Sequence, residues 1–415
     1  MASQTSLVNI TPLLSKSKNP IQLPRCHWAF NPELQIEISI TYIQVMRKFF
    51  TDVPQELWRS YHWQIQNRIK TKEELKRYIR LTPEEERGID QTTGLYPMAI
   101  TPYYLSLMDP EDPQDPIRLQ AIPRAVEVDE RVQSMGEPDP FREEGHIPGL
   151  THRYPDRVLF TLTTFCAVYC RHCMRKRIFQ EGERARTKEE IDRFLEYVRR
   201  HEEIRDVLIS GGEPLSVSNE KLEYVLSNLR KIPHVEIIRI GTRLPVLAPQ
   251  RFFDEELLHI LEKYSPIWIN THFNHPKEIT QESAEAVERL LRHGVPVNNQ
   301  TVLLKGINDD PQVMLELMRG LLRIKVRPVY LFHCDPVKGA LHFRTSLEKG
   351  LEIMEYLRGR ISGMGIPTYA VDLPGGKGKV PISPNYILSV SGDTYTFKSP
   401  LDGIVEYTIR DAELY

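Results

Sequence analysis

A chain of 415 residues can bury a sizeable core, either as two domains or as one large α/β domain with an extension. Apolar residues make up 40% and charged residues 27%, and a formal net charge of -2 removes any general electrostatic case for nucleic acid or a membrane surface. No run of about 18 apolar residues offers a transmembrane helix, and five cysteines, three of them clustered, make no disulfide framework in a chain this long. A reducing, cytoplasmic setting fits that cysteine usage.

Residues 1–45 read as a flexible N-terminal segment without the continuous apolar stretch of a secretory signal. Residues 46–150 read as a helical region. "VPQELWRSYHWQIQNRI" and "TKEELKRYIRL" carry apolar residues at helical spacing, and Thr71 with Glu74 forms a capping box. "LMDPEDPQDPIRLQAIP" is proline-rich and acidic, so an extended surface connection is expected there. From about residue 158 short β-branched runs take over: "RVLFTLTTF", "DVLISGG", "VEIIRIGT", "IWINTHF", "VNNQTVLL", "RPVYLFH" and "TYAVDLPGG". Amphipathic stretches such as "KEEIDRFLEYVRR", "NEKLEYVLSNLRK", "PQRFFDEELLHILEKY" and "QESAEAVERLLRHG" lie between most of them. Strict strand and helix alternation implies parallel strands with right-handed crossovers. The fold class is therefore α/β, a complete or partial (β/α) TIM-like barrel over residues 151–383, with a doubly wound open sheet as the alternative. Residues 384–415 form a β-rich tail, two or three antiparallel strands around a Ser-Gly-Asp turn.

In a barrel the chemistry sits at the C-terminal ends of the strands. The unusual residues fall there: Cys166, "SGGEP", "GTR", "THFNH", "HCDP" and "DLPGGKGK". Cys166, Cys170 and Cys173 stand in a C-x3-C-x2-C run. A closed zinc site takes four Cys or His ligands; His172 is poorly placed to share a metal with its neighbours, and neither Cys26 nor Cys334 has a local partner. An iron-sulfur cluster on three thiolates, by contrast, keeps one iron open for an outside ligand, unlike the fully ligated clusters of electron carriers. Lys377 and Lys379 sit in a glycine-rich turn. A lysine can condense with a carbonyl cofactor, although a solvated basic loop is the ordinary reading. Arg153, Tyr154 and Arg157 in "THRYPDRV" could grip a phosphate or form a surface ion-pair cluster.

The cysteine run after the first barrel strand, followed at the next strand by "SGGEP", resembles the radical S-adenosylmethionine enzymes. "ITPYYLSL", "PGLTHRYPDRV", "CRHC", "IPHVEIIRIGTR", "NTHFNHP", "HFRT", "SGMGIPT" and "PNYILS" narrow the likeness to the lysine 2,3-aminomutases, from about residue 50 to about residue 405. The resemblance implies a 4Fe-4S cluster on the three cysteines, its open iron chelated by S-adenosyl-L-methionine, with Ser210, Gly211, Gly212 and Glu213 at the cofactor's amino group. It implies pyridoxal 5′-phosphate on Lys379, with Arg153, Tyr154 and Arg157 around it and with Gln300 and His272 near the two cofactors; those last two could equally be satisfied polar core residues. It also implies Arg175 on the carboxylate of a small amino-acid substrate, Asp335 and Asp372 on a cationic far end, and a single-electron reductant of the flavodoxin or ferredoxin type. The implied reaction is 1,2-migration of the amino group of L-lysine to give β-lysine, with the two acids at the far end of the substrate; arginine could meet the same acids. A radical enzyme modifying protein or RNA is the alternative from another class, and a plain iron-sulfur carrier is disfavoured by the missing fourth thiolate. Two features depart from the family. Lys377 intrudes before Lys379, and the cysteine-rich, zinc-binding tail is replaced by "RDAELY", with Asp309 or Asp310 at the barrel's cysteine position. No zinc is expected in that place, and a homo-oligomer is expected without it.

Overall fold

Seven β-branched runs become parallel strands because an amphipathic stretch long enough to cross back over the sheet joins each to the next. The computed structural model describes residues 47–409 apart from 48, 144, 146 and 402; the segment 1–45, with Cys26, lies outside the described residues. The strands are β1 (Leu150–Tyr154), β2 (Arg157–Thr163), β3 (Asp206–Gly211), β4 (Ile237–Gly241), β5 (Ile267–Thr271), β6 (Val297–Leu303), β7 (Arg327–His333), β8 (Thr368–Leu373) and β9 (Gly378–Pro381). They form one sheet in sequence order, parallel from β2 to β8, with β1 and β9 antiparallel at the two edges.

The crossovers carry α1 (Lys188–Arg200), α2 (Asn219–Leu229), α3 (Glu255–Lys263), α4 (Gln281–Arg292), α5 (Pro311–Arg323) and α6 (Leu347–Leu357). Each starts at a residue whose side chain accepts from the first-turn backbone: Thr187, Ser218, Asp254, Thr280, Asp310 and Ser346. Asp310 is thus a helix cap, and Asp309 accepts from the Gly306 amide at 2.9 Å. The helices turn apolar stripes inward. Phe194 of α1, for example, stacks on Phe160 of β2 at 4.1 Å.

The edges of the sheet share no hydrogen-bonded ladder, so the barrel is partial. Side chains and loops bridge the seam instead. Lys379 N donates to Tyr154 Oη at 3.0 Å, Arg153 Nη1 donates to Asp372 at 3.0 Å, and the Gly375 amide donates to the Pro140 carbonyl at 2.7 Å.

The N-terminal region is helical, with Gln55–Trp58, Tyr61–Gln66 and Lys72–Leu75, the last behind the Thr71/Glu74 capping box. The proline-rich stretch departs from expectation. Pro116–Ala121 is a buried helix, capped by Asp115 with proline in its first turn. Arg118, 1% exposed, pairs with Glu85 at 2.7 Å and donates to three backbone carbonyls. The tail forms a separate antiparallel sheet of β10 (Ile387–Ser391), β11 (Thr394–Lys398) and β12 (Ile404–Thr408), with Gly392 at positive φ in the first turn. Among the described residues no helix is long and apolar enough to cross a membrane.

Candidate active site

The three cysteines follow β2 in a loop clamped from several sides. Arg68 donates to the Cys166 carbonyl at 2.6 Å, the Tyr169 amide to the Ala99 carbonyl at 3.2 Å, and the Arg171 amide to the Gln120 carbonyl at 2.8 Å. Arg171 and Lys176, both buried, converge on Glu127 at 2.7 and 2.5 Å. Against the burial that would raise it, these two cations hold the Glu127 carboxyl down at about 2. Lys176 also donates to the Gly339 carbonyl at 2.7 Å, tying the cysteine loop to the loop after β7. Arg243 Nη1 lies 2.9 Å from Cys170 Sγ, and the Arg175 amide 3.3 Å from Cys173 Sγ. All three thiols are free. Burial pushes Cys166 well up and Cys173 to about 11, and the neighbouring sulfurs push each further the same way. Three free, half-buried sulfurs on one short loop offer soft ligands to a metal, and that donor set fits an iron-sulfur cluster.

The loop after β3 is pressed against this one. Amides of Gly212 and Glu213 donate to the Thr163 and Phe165 carbonyls, both at 2.6 Å. A Cβ at Gly211, whose φ is +147°, would meet Thr163 O at 2.4 Å, and one at Gly212 would meet Phe165 O at 2.1 Å, so both positions require glycine. Ser210 is buried at the end of β3. The Glu213 carboxylate accepts from Thr242 Oγ1 at 2.5 Å and from the Arg243 and Leu215 amides at 3.0 and 3.2 Å, while burial pushes it up to about 7. It therefore fastens the β3 loop to the β4 loop. Arg243 continues the network to the His272 carbonyl at 2.9 Å, Gln120 at 2.6 Å and Glu278 at 2.8 Å. Burial, then Arg243, lowers His272 to about 4 and keeps its ring neutral beside the Gln300 backbone. Two buried polar atoms of these loops lack a partner among the described residues, Thr271 Oγ1 and His172 Nδ1. They offer a bound polar cofactor hydrogen bonds that the protein does not use.

At the seam, Lys379 turns its amine onto Asp372 at 2.7 Å and over the Phe332 ring at 5.4 Å. Asp372, 6% exposed, also holds Arg153, whose other nitrogen donates to the Phe141 carbonyl at 3.1 Å. Asp335 stands close enough that Asp372, after burial, pushes it up to about 7 while Lys379 opposes. Tyr154 takes the Lys379 amide on its hydroxyl, and Arg157 lies over the Tyr154 ring at 4.2 Å, half exposed. Lys377 is exposed at the end of the Pro374–Gly376 turn and makes none of the contacts that hold Lys379. Arg175 meets Glu143 in a bidentate pair at 2.9 and 2.8 Å, and Arg177 reaches the same carboxylate at 3.2 Å. The structure thus brings Arg153, Tyr154, Asp335, Asp372 and Lys379 into one cluster and the cysteines, Glu213 and His272 into another. The cysteines, Glu213, His272, Asp335 and Asp372 follow or end parallel strands, Lys379 stands opposite Asp372 on antiparallel β9, and Arg153 and Tyr154 come from antiparallel β1, where Tyr154 pairs with Arg157 at the start of β2. Sequence reasoning missed Arg243, Glu127 and Glu143; only Arg243 had a signal, as part of the odd "GTR" strand end.

Three thiols after the first parallel strand, clamped to a Gly-Gly-Glu loop after the second, define a radical S-adenosylmethionine enzyme, and the Radical SAM superfamily model matches residues 160–318. The Lysine-2,3-aminomutase model matches residues 354–409, which include the Lys379 turn. An Aquifex aeolicus protein provisionally named L-lysine 2,3-aminomutase is 74% identical, over 88% of this chain and 99% of its own. The L-lysine 2,3-aminomutase of Clostridium subterminale is 50% identical over 86% of each chain. The glutamate 2,3-aminomutase of Clostridioides difficile is 48% identical, over 82% of this chain and 80% of its own. The chain belongs to the lysine 2,3-aminomutase family. It is an isomerase of the aminomutase type, with a 4Fe-4S cluster, S-adenosyl-L-methionine and pyridoxal 5′-phosphate as cofactors.

Proposed function

We propose that this protein moves the α-amino group of L-lysine to the β-carbon. The observation that carries the choice of substrate is the pair of acids, Asp335 and Asp372, gathered around Lys379 at the seam. A distal ammonium or guanidinium is favoured there, and the second carboxylate of glutamate would be repelled by both. The cluster with S-adenosylmethionine supplies a hydrogen-abstracting carbon radical, and pyridoxal phosphate supplies a carbonyl carbon that captures an amine. Cys166, Cys170 and Cys173 would hold the cluster, with the Ser210–Glu213 loop and neutral His272 beside it. Lys379 would hold pyridoxal phosphate, with Arg153, Tyr154, Arg157 and Gln300 as its surroundings. Arg175 orients the substrate carboxylate, its guanidinium positioned by the ion pair with Glu143. The buried Arg171, Lys176 and Glu127 cluster keeps the cysteine loop rigid, so that reacting atoms stay within reach.

A single-electron reductant of the flavodoxin or ferredoxin type follows from the radical chemistry, and a cytoplasmic setting from the free thiols. Exposed Ile404, Val405 and Tyr407 on β12 support a homo-oligomer.

Anaerobically reconstituted protein, assayed in parallel on lysine, arginine and glutamate, should turn over lysine fastest and leave glutamate unchanged. Borohydride should fix pyridoxal phosphate on the Lys379 peptide, and Lys377→Ala should keep that adduct while Lys379→Ala loses it. Turnover of glutamate alone would sink the substrate reading, and an adduct that follows Lys377 would sink the lysine assignment.

A further inference from the structure

On the crossover helices, α3 and α4 bring three ligand-type side chains together, none of them belonging to either cluster described above. Glu255, His259 one turn on in α3, and His293 at the C-terminal cap of α4 have ligand atoms all within 4.8 Å of one another. Both rings are already oriented. His259 Nδ1 lies 2.7 Å from the Glu255 carbonyl oxygen and His293 Nδ1 lies 2.9 Å from the Arg289 carbonyl oxygen, contacts that only an N–H can make. Each neutral ring therefore carries its lone pair on Nε2. A backbone carbonyl that fixes the tautomer from behind is the support that metal-bound histidines use.

The carboxylate is divided in the same way. Glu255 Oε1 pairs with Arg289, while Oε2 lies 3.9 Å from His293 Nε2. The two rings stand 5.7 Å apart at 68°. Glu255 and His259 are exposed and His293 is half-buried, so small side-chain rotations can bring three donors to about 2.1 Å from one ion. Two imidazoles select against magnesium and calcium, which take oxygen ligands. Arg289 faces the carboxylate and weakens the site without blocking Oε2.

We propose that Glu255, His259 and His293 bind one divalent transition-metal ion of the zinc class, in a two-histidine, one-carboxylate surface site that ties α3 to α4. The site shares no ligand with the cysteine loop, with Lys379, or with Asp309 and Asp310.

The test uses tag-free full-length protein loaded with its cluster and pyridoxal phosphate, so that Cys166, Cys170, Cys173 and Lys379 are occupied. Dialysed against micromolar free Zn2+, the wild type should retain one equivalent more zinc than His259→Ala or His293→Ala. Its thermal midpoint should rise with zinc while theirs stays fixed, and Glu255→Gln should weaken retention about tenfold. These side chains lie at the surface, and matching circular dichroism spectra would show that the variants are folded. Equal zinc content in wild type and both histidine variants, or no zinc retained by the wild type, would overturn the proposal.

Discussion

Asp372 meets two cations at once, Arg153 at 3.0 Å and Lys379 at 2.7 Å, with Asp335 beside it. Asp335 is therefore the acid whose charge is in play. Burial first, and the Asp372 charge second, push it up to about 7, far above the carboxylate value of about 3.9 in an unfolded chain. Between about pH 4 and about pH 7 the folded protein thus binds more protons at this side chain than the unfolded chain does, and the stability contributed by Asp335 falls as pH rises through that window. A substrate ammonium docked at these acids, as proposed, would reverse the preference by stabilising the charged form. KM for lysine should accordingly rise as pH drops below 7, by up to about tenfold per unit, and Asp335→Asn should have a higher KM that is flat over the same range. Steady-state KM measured at pH 6 and pH 8 checks this; an unchanged slope in Asp335→Asn would remove Asp335 from the binding site. The three cysteines could be read from the sequence because their spacing is local. The residues that complete the site could not, since Arg243 is 73 positions from Cys170 and Glu143 is 32 from Arg175.

The elements most legible in the sequence are those with long, regular patterns. "KEEIDRFLEYVRR" matches α1 from Lys188 to Arg200 because a Thr187 cap, an amphipathic stripe and terminal arginines all agree. Strands β1 and β9 were not legible. "LTHRY" and "GKVP" are short and lack alternation, and they become strands only because β2 and β8 offer open edges. The Pro116–Ala121 helix was hidden for the opposite reason, since Asp115 and Pro116 are start signals for a helix as much as for a turn. The loop after β3 shows how an element's shape sets the chemistry. Because backbone of Phe165 and Thr164 lies where a Gly212 side chain would go, Gly212→Ala must push this loop off the cysteine loop. The variant should keep a native circular dichroism spectrum and lose most of its cluster, about tenfold in bound iron, at a cost of roughly 2–4 kcal/mol in stability. Iron content after anaerobic reconstitution measures the outcome, and full occupancy would show that the two loops are held together by something other than this close approach.

At the scale of the molecule, the barrel is a nine-stranded sheet, seven strands of it parallel, whose antiparallel edges meet through side chains and loop contacts. The interior strands are locked on both sides. Ile209, Ile240 and Ile269 are fully buried in β3, β4 and β5, and opening them requires loss of the common core. At the seam, by contrast, the Lys379 amide depends on the Tyr154 hydroxyl, and Lys379 is the proposed carrier of a cofactor that must reach the cysteine loop. A locally yielding seam lets that lysine adjust while the cysteines stay fixed by Arg68, Arg171 and Lys176. Native-state hydrogen exchange should therefore show a gradient, with slow exchange at the amides of Ile209, Ile240 and Ile269 and faster exchange at Lys379. Tyr154→Phe removes one acceptor worth about 1 kcal/mol, so the Lys379 amide should exchange about fivefold faster while the interior amides keep their rates. If all four sites accelerate together, the seam is part of the global unfolding unit, and the barrel opens as one body instead of at its edge.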